Sequence, residues 1–246
     1  MSKQLKPIIR VTTLEKFRRF YSDEYEYETE QSLIDGITQA FTGNEFTRIG
    51  TAFHSIVELG IPKCEKVEAG ERTFLYYGKE AKEPVPSGRK FDIDGFGVTL
   101  DVAQCKTALE YRDEHPDAFH EIRLYKDYGD VLITGCADMI DGLEIRDIKT
   151  KYSPADDKDY INSYQWRYYL ELFQLDTFHF DLFIFDGYNK EKHGYDVRGI
   201  PLRRHLPAIT CHRYGSIESD TRYLLEHFIR WMKYRKLEKY FMKEIE

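Results

Sequence analysis

The stretch VLITGCADMIDGLEIRDIKTK, residues 131–151, carries the pattern that decides the fold. Apolar and polar residues alternate on both sides of the dipeptide Asp141-Gly142, and Asp-Gly between two alternating runs is a strong signal for a β-hairpin. With this dipeptide as a two-residue turn, alternation places Asp138, Asp147 and Lys149 on one face of the sheet. The pattern therefore predicts two carboxylates and an ammonium group on a single patch.

The same register makes Asp138 and Asp147 diagonal neighbours, because it sets Ile145 directly opposite Asp138. Diagonal neighbours have backbones roughly 7–8 Å apart, so their carboxylates can converge on one cation. A second two-residue turn at Tyr128-Gly129 adds Glu121 to this face. A shift of one residue in that register moves Glu121 to the opposite face.

Two neighbouring carboxylates raise each other's pKa unless a cation compensates. Oxygen ligands in small number suit Mg²⁺ or Mn²⁺, with water and a substrate phosphate completing the coordination. A lysine such as Lys149 beside this metal can act on a water molecule and stabilise charge on a phosphoryl oxygen. The alternative for Asp147 and Lys149 is an ion pair on the solvated face of a sheet, and D-x-K alone favours this alternative, because the pattern is common by chance.

The periodicity of the chain predicts an α/β fold whose core runs helix, three-stranded meander, helix, strand, with helices flanking a mixed central sheet. Residues 61–99 are expected to form loops with short strands. The predicted helices cover 13–21, 45–60, 102–112, 160–175 and 217–243, the last one broken or bent; the predicted strands cover 120–127, 131–140, 143–151 and 177–186, with one more at 196–202.

Two helices that flank the meander carry polar residues at helical spacing. His54 and Glu58 lie four residues apart on one helix, and Gln165 and Tyr169 lie four apart on another, so each pair shares a helix face. A neutral imidazole can bind a metal. Taken singly, each is more typical of an ordinary helix: His54 as a hydrogen-bonded helix histidine, and Gln165 with Tyr169 as an amide and an aromatic ring at a helix margin.

Four motifs occur in order along these elements: G-x-x-x-H at 50–54, G-x-x-D at 135–138, D-x-K at 147–149 and Q-x-x-x-Y at 165–169. Together they resemble the motif series of RecB-like (lambda-exonuclease-like) nucleases of the PD-(D/E)xK superfamily. The resemblance spans about residues 46–186. It implies a restriction-endonuclease-like core in a single domain, 1–246, with helical additions at both ends.

The resemblance also implies roles for individual residues. Ala137 replaces the proline of the superfamily's name, a position that the RecB-like branch varies. The implied metal ligands are His54, Asp138, Asp147 and the Ile148 carbonyl. The implied catalytic residues are Lys149 with Asp138, Asp147 and Glu121, and the implied substrate- or site-positioning residues are Gln165 and Tyr169. Further candidates are Glu58, for a second metal or the fold, and Arg18 or Arg19, for phosphate, unless these arginines are ordinary surface residues.

The implied function is a Mg²⁺-dependent DNA nuclease, with Mn²⁺ as a substitute. The RecB-like motifs favour an exonuclease that acts on double-stranded ends or single strands and leaves 5′-phosphates, in DNA recombination, repair or phage and mobile-element DNA processing, with a recombination protein as partner. Two alternatives remain: a catalytically inactive nucleic-acid-binding or assembly protein on the same fold, and a metal-dependent RNase or phosphoesterase.

Composition excludes several classes of protein. The 246 residues are 41% hydrophobic and 32% charged, as in soluble globular proteins, and the net charge of −7 disfavours indiscriminate binding to polyanions. The four cysteines are too far apart in the sequence for an iron–sulfur cluster. The sequence also lacks the G-x-x-x-x-G-K-[ST] motif, so we expect no nucleotide cofactor. Without an apolar run of eighteen residues or an apolar N-terminal leader, we expect a cytoplasmic protein that does not bind membranes.

Overall fold

The structure is a computed structural model, and it describes residues 6–22, 28–40, 42–61, 63–67, 70–76, 79–85 and 87–242, with the backbone alone for 70–76 and 79–85. Residue 243, the predicted end of the closing helix, lies outside the described residues. In the described ranges, no helix combines the length and the apolar character needed to cross a bilayer.

Helices and strands alternate along the chain. In order, the elements are β1 Ile8–Arg10, α1 Val11–Tyr21, α2 Glu30–Thr38, α3 Glu45–Leu59, β2 Glu65–Val67, β3 Gly70–Tyr76, β4 Lys79–Val85, β5 Gly88–Ile93, β6 Phe96–Asp101, α4 Val102–Asp113, β7 Phe119–Asp127, β8 Leu132–Asp141, β9 Glu144–Lys151, α5 Asp157–Ile161, α6 Gln165–Phe173, β10 Thr177–Phe185, α7 Lys190–His193, β11 Leu202–Arg204, β12 Ile209–His212, α8 Ile217–Tyr234 and a 3₁₀ turn, Glu238–Tyr240.

The predicted α/β class is confirmed: helices flank a mixed central sheet of seven strands. β7, β8 and β9 form the predicted meander, and β10 pairs in parallel with β9 over the full length of that strand. Two small additional sheets, β2-β5-β6 and β3-β4, lie in the region predicted as loops with short strands. The prediction of a strand at 196–202 is wrong, because the chain there is mostly irregular and β11 begins only at Leu202.

The predicted helix at 160–175 is divided into α5 and α6, and the division has a physical cause. Ser163 interrupts the helix, and its hydroxyl accepts a hydrogen bond from the Gln165 backbone N–H at 3.0 Å. Glu15 of α1 accepts the Tyr164 N–H at 2.7 Å. Because Glu15 lies far away in sequence, local periodicity could not predict this break, which makes Gln165 the first residue of α6.

The hairpin turn lies one residue later than predicted. Asp141 pairs with Glu144, so the two-residue loop is Gly142-Leu143, with Gly142 in the left-handed region at φ 58°. This moves the register by two residues, so the paired residues Met139–Asp141 keep their predicted faces. Continued by one step, the register sets Asp138 opposite Asp147 instead of one diagonal step away.

Two apolar cores cover the two faces of the sheet. α1, α6 and α8 bury the first core, which is rich in aromatic rings such as Phe17, Tyr168 and Phe178. α3 and α4 bury the second core, which includes Phe53 and Phe183 with ring centroids 4.6 Å apart. Full burial of such side chains stabilises the fold by about 1.5–3 kcal/mol each. The sheet is thus held rigidly from both sides.

Candidate active site

The candidate site lies where β8 and β9 separate. β7 occupies one edge of β8 along its length. On the other edge, β9 pairs only with Met139–Asp141, and β1 pairs with Leu132–Thr134 at the opposite end. Between these two contacts, the Asp138 carboxylate accepts the Ile148 N–H at 2.8 Å in place of a strand hydrogen bond. The strands thus form a fork with Asp138 in its angle.

The alternation of side chains changes by one residue at this fork. Ala137 belongs to the first core, whereas Met139 belongs to the second. Glu121 of β7 lies opposite Asp138, between the pairs His120–Met139 and Ile122–Ala137. It has φ 52°, a conformation that residues other than glycine adopt at a cost of about 1–3 kcal/mol. The carboxylates consequently lie at the boundary between the two faces, where helices from both sides can reach them.

α3 brings His54 to the fork from the second face. Gly50 allows the close approach, because a Cβ atom at this position would lie 2.8 Å from Thr150 Oγ1. His54 Nδ1 lies 3.8 Å from Asp138 Oδ2, too far for a hydrogen bond. Burial and the Lys149 charge lower the pKa of His54 to about 4, so the imidazole is neutral at neutral pH and can act as a ligand.

α6 brings Gln165 and Tyr169 to the fork from the first face. The Gln165 side-chain amide donates to Asp147 Oδ1 at 2.8 Å, and the Tyr169 hydroxyl donates to the Cys136 carbonyl at 2.7 Å. Gly135 permits this packing, since a Cβ atom there would lie 3.3 Å from the Tyr169 ring. Tyr169 is only 5% exposed. Both side chains therefore hold the carboxylate-bearing strands in place, one of the two roles expected for Q-x-x-x-Y.

Asp147 is buried inside the fork, and its partner Lys149 reaches it with a side chain that is 36% exposed. The Lys149 ammonium donates to Asp147 Oδ1 at 2.9 Å and lies 2.8 Å from Oδ2. Oδ2 is buried, and its contact with the ammonium does not have hydrogen-bond geometry, so this oxygen is held by charge alone. A buried carboxylate oxygen without a well-directed hydrogen bond can accept a further partner.

Burial is the largest influence on the acidity of these groups. It raises the pKa of Asp147 and of Asp138, and Lys149 partly compensates both shifts. Burial lowers the pKa of Lys149, but the two carboxylates outweigh this effect and leave the pKa above its usual value. Lys149 is therefore an ammonium ion at neutral pH, suited to donating hydrogen bonds and stabilising negative charge rather than removing a proton.

The remaining acidic candidates line the entrance to the fork. Glu121 accepts a hydrogen bond from the Cys136 thiol at 3.4 Å. Partial burial raises the pKa of Glu121, and the charges of Asp138 and Glu58 raise it further. Glu58 lies four residues after His54 on α3 and lines the same cavity. Both carboxylates are thus near the predicted site without contacting Asp147.

Arg18 and Arg19 are not placed as surface phosphate ligands. Arg18 is 6% exposed and donates to both oxygens of Glu15, so the expectation of a surface residue is wrong for this arginine. Arg19 donates to the same carboxylate at 3.0 Å. The pair neutralises the glutamate that divides α5 from α6, which is a structural role.

A cavity of about 1100 Å³ opens onto the fork. Its lining includes His54 and Lys149 and also three aromatic side chains, Phe46, Tyr152 and Tyr188, which motif spacing did not identify. Their sequence signal was weak, because each lies at the end of an element or in the loop that follows it. The volume is ample for a segment of a polymeric substrate.

The fork offers oxygen and nitrogen donors to a cation without a preformed cage. Within residues 6–242, apart from the undescribed gaps, no three His, Cys, Asp or Glu side chains form a ready-made metal site. The donors that fit a hard cation are Asp147 Oδ2 and the carboxylate of Asp138, which accepts the Ile148 N–H. The neutral His54 imidazole and the Ile148 backbone lie beside them.

Comparison with known proteins leaves the family open. No family model and no curated protein matches this chain. Among solved structures, a protein from Eubacterium rectale that has been proposed to be an exonuclease covers 95% of this chain and 82% of its own, at 10% identity and a TM-score of 0.48. SSO0001 covers 93% and 78%, at 14% identity and a TM-score of 0.40. At these values neither likeness assigns an activity.

Proposed function

We propose that this protein is a metal-dependent nuclease that hydrolyses phosphodiester bonds at the fork between β8 and β9. The observation that supports this most is the convergence of Asp138, Asp147 and Lys149 at the fork, next to a large cavity that Lys149 lines. Asp147 is only 3% exposed, and burying a carboxylate costs stability, so a fold retains it where its charge has a use. The alternative of a solvated surface ion pair does not account for the burial of Asp147.

In this proposal Asp138, Asp147 and His54 hold one Mg²⁺ ion, for which Mn²⁺ can substitute, and the Ile148 carbonyl is a further donor. A bound divalent ion supplies Lewis-acid polarisation of the phosphoryl group and lowers the pKa of a bound water. The Gln165 amide holds Asp147 Oδ1 at 2.8 Å, which leaves Oδ2 as the oxygen of this carboxylate that would bind the ion.

Lys149 has the complementary task. As an ammonium ion beside Asp147, it donates a hydrogen bond to a non-bridging phosphoryl oxygen or to the attacking water, where negative charge develops. Gln165 and Tyr169 position the two acidic strands and do not touch the reacting atoms. Glu121, at the cavity entrance, is close enough to Asp138 to share its electrostatic environment.

The finer proposal is a DNA exonuclease that leaves 5′-phosphates and acts in recombination, repair or phage DNA processing. The four motifs support it through their resemblance to RecB-like nucleases. DNA is the proposed partner, as double-stranded ends or single strands. A protein of recombination is the proposed second partner, and the cytoplasm is the proposed compartment.

The test is cleavage of end-labelled linear duplex, single-stranded DNA, circular DNA and RNA by purified protein with Mg²⁺, with Mn²⁺ and with EDTA. We expect metal-dependent loss of linear DNA. Lys149→Ala should lower the rate by about 10²–10³-fold, the usual loss when one charge-stabilising donor is removed. Lys106→Ala is the matched control, since Lys106 is an exposed lysine on α4.

Each outcome bears on one part of the proposal. If Lys149→Ala cleaves as well as the parent protein, the assignment of the site is wrong. Binding of DNA without cleavage under any metal condition would favour the inactive nucleic-acid-binding alternative. Cleavage of RNA but not DNA would favour the RNase alternative, and cleavage of circular DNA would show endonuclease action.

A further inference from the structure

We propose that Phe46, Tyr152 and Tyr188 form an aromatic wall that stacks on an unpaired base of the nucleic-acid strand whose phosphate lies at Lys149. This inference rests on the proposed nuclease function, because it assigns the part of the substrate that fills the cavity beyond the fork. It concerns residues outside the four motifs, and it makes a strand with accessible base faces the preferred ligand.

The three rings come from three separate elements and meet at one side of the cavity. Phe46 lies in the first turn of α3, Tyr152 directly follows β9, and Tyr188 lies between β10 and α7. The ring centroids of Tyr152 and Tyr188 are 4.8 Å apart, and those of Phe46 and Tyr152 are 4.9 Å apart. Tyr152 is also stacked on buried Phe185, with 8° between the ring planes.

Backbone hydrogen bonds hold the polar ends of the two tyrosines. The Tyr152 hydroxyl donates to the Phe46 carbonyl at 2.9 Å, and the Tyr188 hydroxyl donates to the Gly194 carbonyl at 2.8 Å. Since both hydroxyls are satisfied, what the wall presents to the cavity is chiefly ring surface. Rigid, preordered rings lose little conformational entropy when a ligand stacks on them.

Phe46 is the side chain that needs an explanation. It is 38% exposed although it is large and apolar, and it lines the cavity that contains Lys149. Scattered exposed apolar residues are common, but this ring belongs to a contiguous aromatic group at a charged site. Lys151 and Lys190 line the same cavity, and Lys190 keeps half of its side chain exposed beside Glu45.

The arrangement of cations and rings suits a single strand. Lysine ammonium groups follow a phosphate backbone, while aromatic faces accept bases of any sequence. Tyr152 follows Lys149 by three residues, which is about 10 Å along an extended polypeptide. A short segment of a nucleic-acid strand can therefore reach both residues. In a continuous duplex, bases expose only their edges in the grooves, so the wall requires an unpaired or terminal nucleotide.

The experiment measures binding apart from cleavage, with the parent protein in EDTA. A fluorescein-labelled oligodeoxythymidylate dodecamer is titrated at low salt, and its affinity is compared with that of the same strand carrying one abasic nucleotide at each position in turn. Phe46→Ala should weaken binding of the intact strand by about 5- to 150-fold, the range for loss of one stacked base. Tyr234→Ala, which removes an exposed ring on α8, is the matched control.

The decisive readout is the coupling between protein and base. One abasic position should weaken binding to the parent protein and have no effect on binding to Phe46→Ala. Equal losses from the abasic change in both proteins, or unchanged affinity of Phe46→Ala, would overturn the proposal. Because Phe46→Ala could also disturb α3, Phe46→Leu keeps the apolar volume; 2-aminopurine at the coupled position should be quenched by the parent protein and much less by this variant.

Failure of this inference is distinguishable from failure of the nuclease proposal. If the protein cleaves DNA but Phe46→Ala shows no base-dependent loss, the site is a nuclease without the aromatic platform. If base-dependent binding is present but no condition yields cleavage, the platform stands and the hydrolytic assignment fails.

Discussion

Gly50 provides a sharp test of how α3 is packed against β9. Within a helix, replacing glycine by alanine ordinarily stabilises a protein by about 1 kcal/mol. At Gly50, however, the added Cβ atom would lie 2.8 Å from Thr150 Oγ1, a distance at which the Thr150 side chain or one of the two elements must shift. Such overpacking costs about 1–3 kcal/mol. We therefore expect Gly50→Ala to change the free energy of unfolding by about 0 to 2 kcal/mol in the destabilising direction.

A double-mutant cycle isolates the contact. Thr150→Ala removes the hydroxyl that the new methyl group meets, so Gly50→Ala should become stabilising in that background. The expected coupling energy is about 1–3 kcal/mol, measured by urea unfolding at neutral pH followed by circular dichroism. The cycle cancels whatever Thr150→Ala costs by itself.

The opposite result would refute the reasoning. If Gly50→Ala stabilises the protein by about 1 kcal/mol, or if the two changes are additive, then α3 does not approach β9 as closely as described. The single variant should also reduce cleavage, since α3 carries His54 towards the fork, and Thr150→Ala should restore part of that loss.

Three further predictions concern groups that hold the site or the fold. Tyr169→Phe should lower the free energy of unfolding by about 1 kcal/mol and reduce cleavage, because it frees the Cys136 carbonyl at the fork; retention of full activity would contradict a positioning role. Because the pKa of His54 is lowered to about 4 in the folded protein, the unfolded chain binds more protons at this residue below pH 6.5. The stability that depends on neutral His54 is therefore present above pH 6.5 and is lost as the pH falls towards 4. In urea titrations between pH 7 and 5, the parent protein should lose roughly 1–2 kcal/mol more of its free energy of unfolding than His54→Gln. Tyr111→Phe removes a 2.8 Å hydrogen bond to the buried Asp181 carboxylate and should cost about 1.5–3 kcal/mol in urea unfolding without affecting cleavage, since this pair lies away from the cavity lining.

The sequence by itself determined the local geometry of the site. Alternation in 131–151 predicted Asp138, Asp147 and Lys149 on one face, and the error in the turn does not alter that prediction, because a shift of two residues leaves a period of two unchanged. The change of alternation at the fork, which no periodic pattern predicts, brings Asp138 to the boundary between the two faces. Helical spacing likewise placed His54 with Glu58, and Gln165 with Tyr169, on shared helix faces. These features depend only on residues a few positions apart.

The tertiary structure alone decided how these pieces meet. The fork exists because β1 pairs with the part of the β8 edge that β9 does not cover. The division of α5 from α6 depends on Glu15, and the aromatic wall depends on the contact between Phe46 and Tyr152. Each of these contacts joins residues more than a hundred positions apart. No periodic pattern encodes such a contact, because its energy is gained only when both segments are already packed against the rest of the fold.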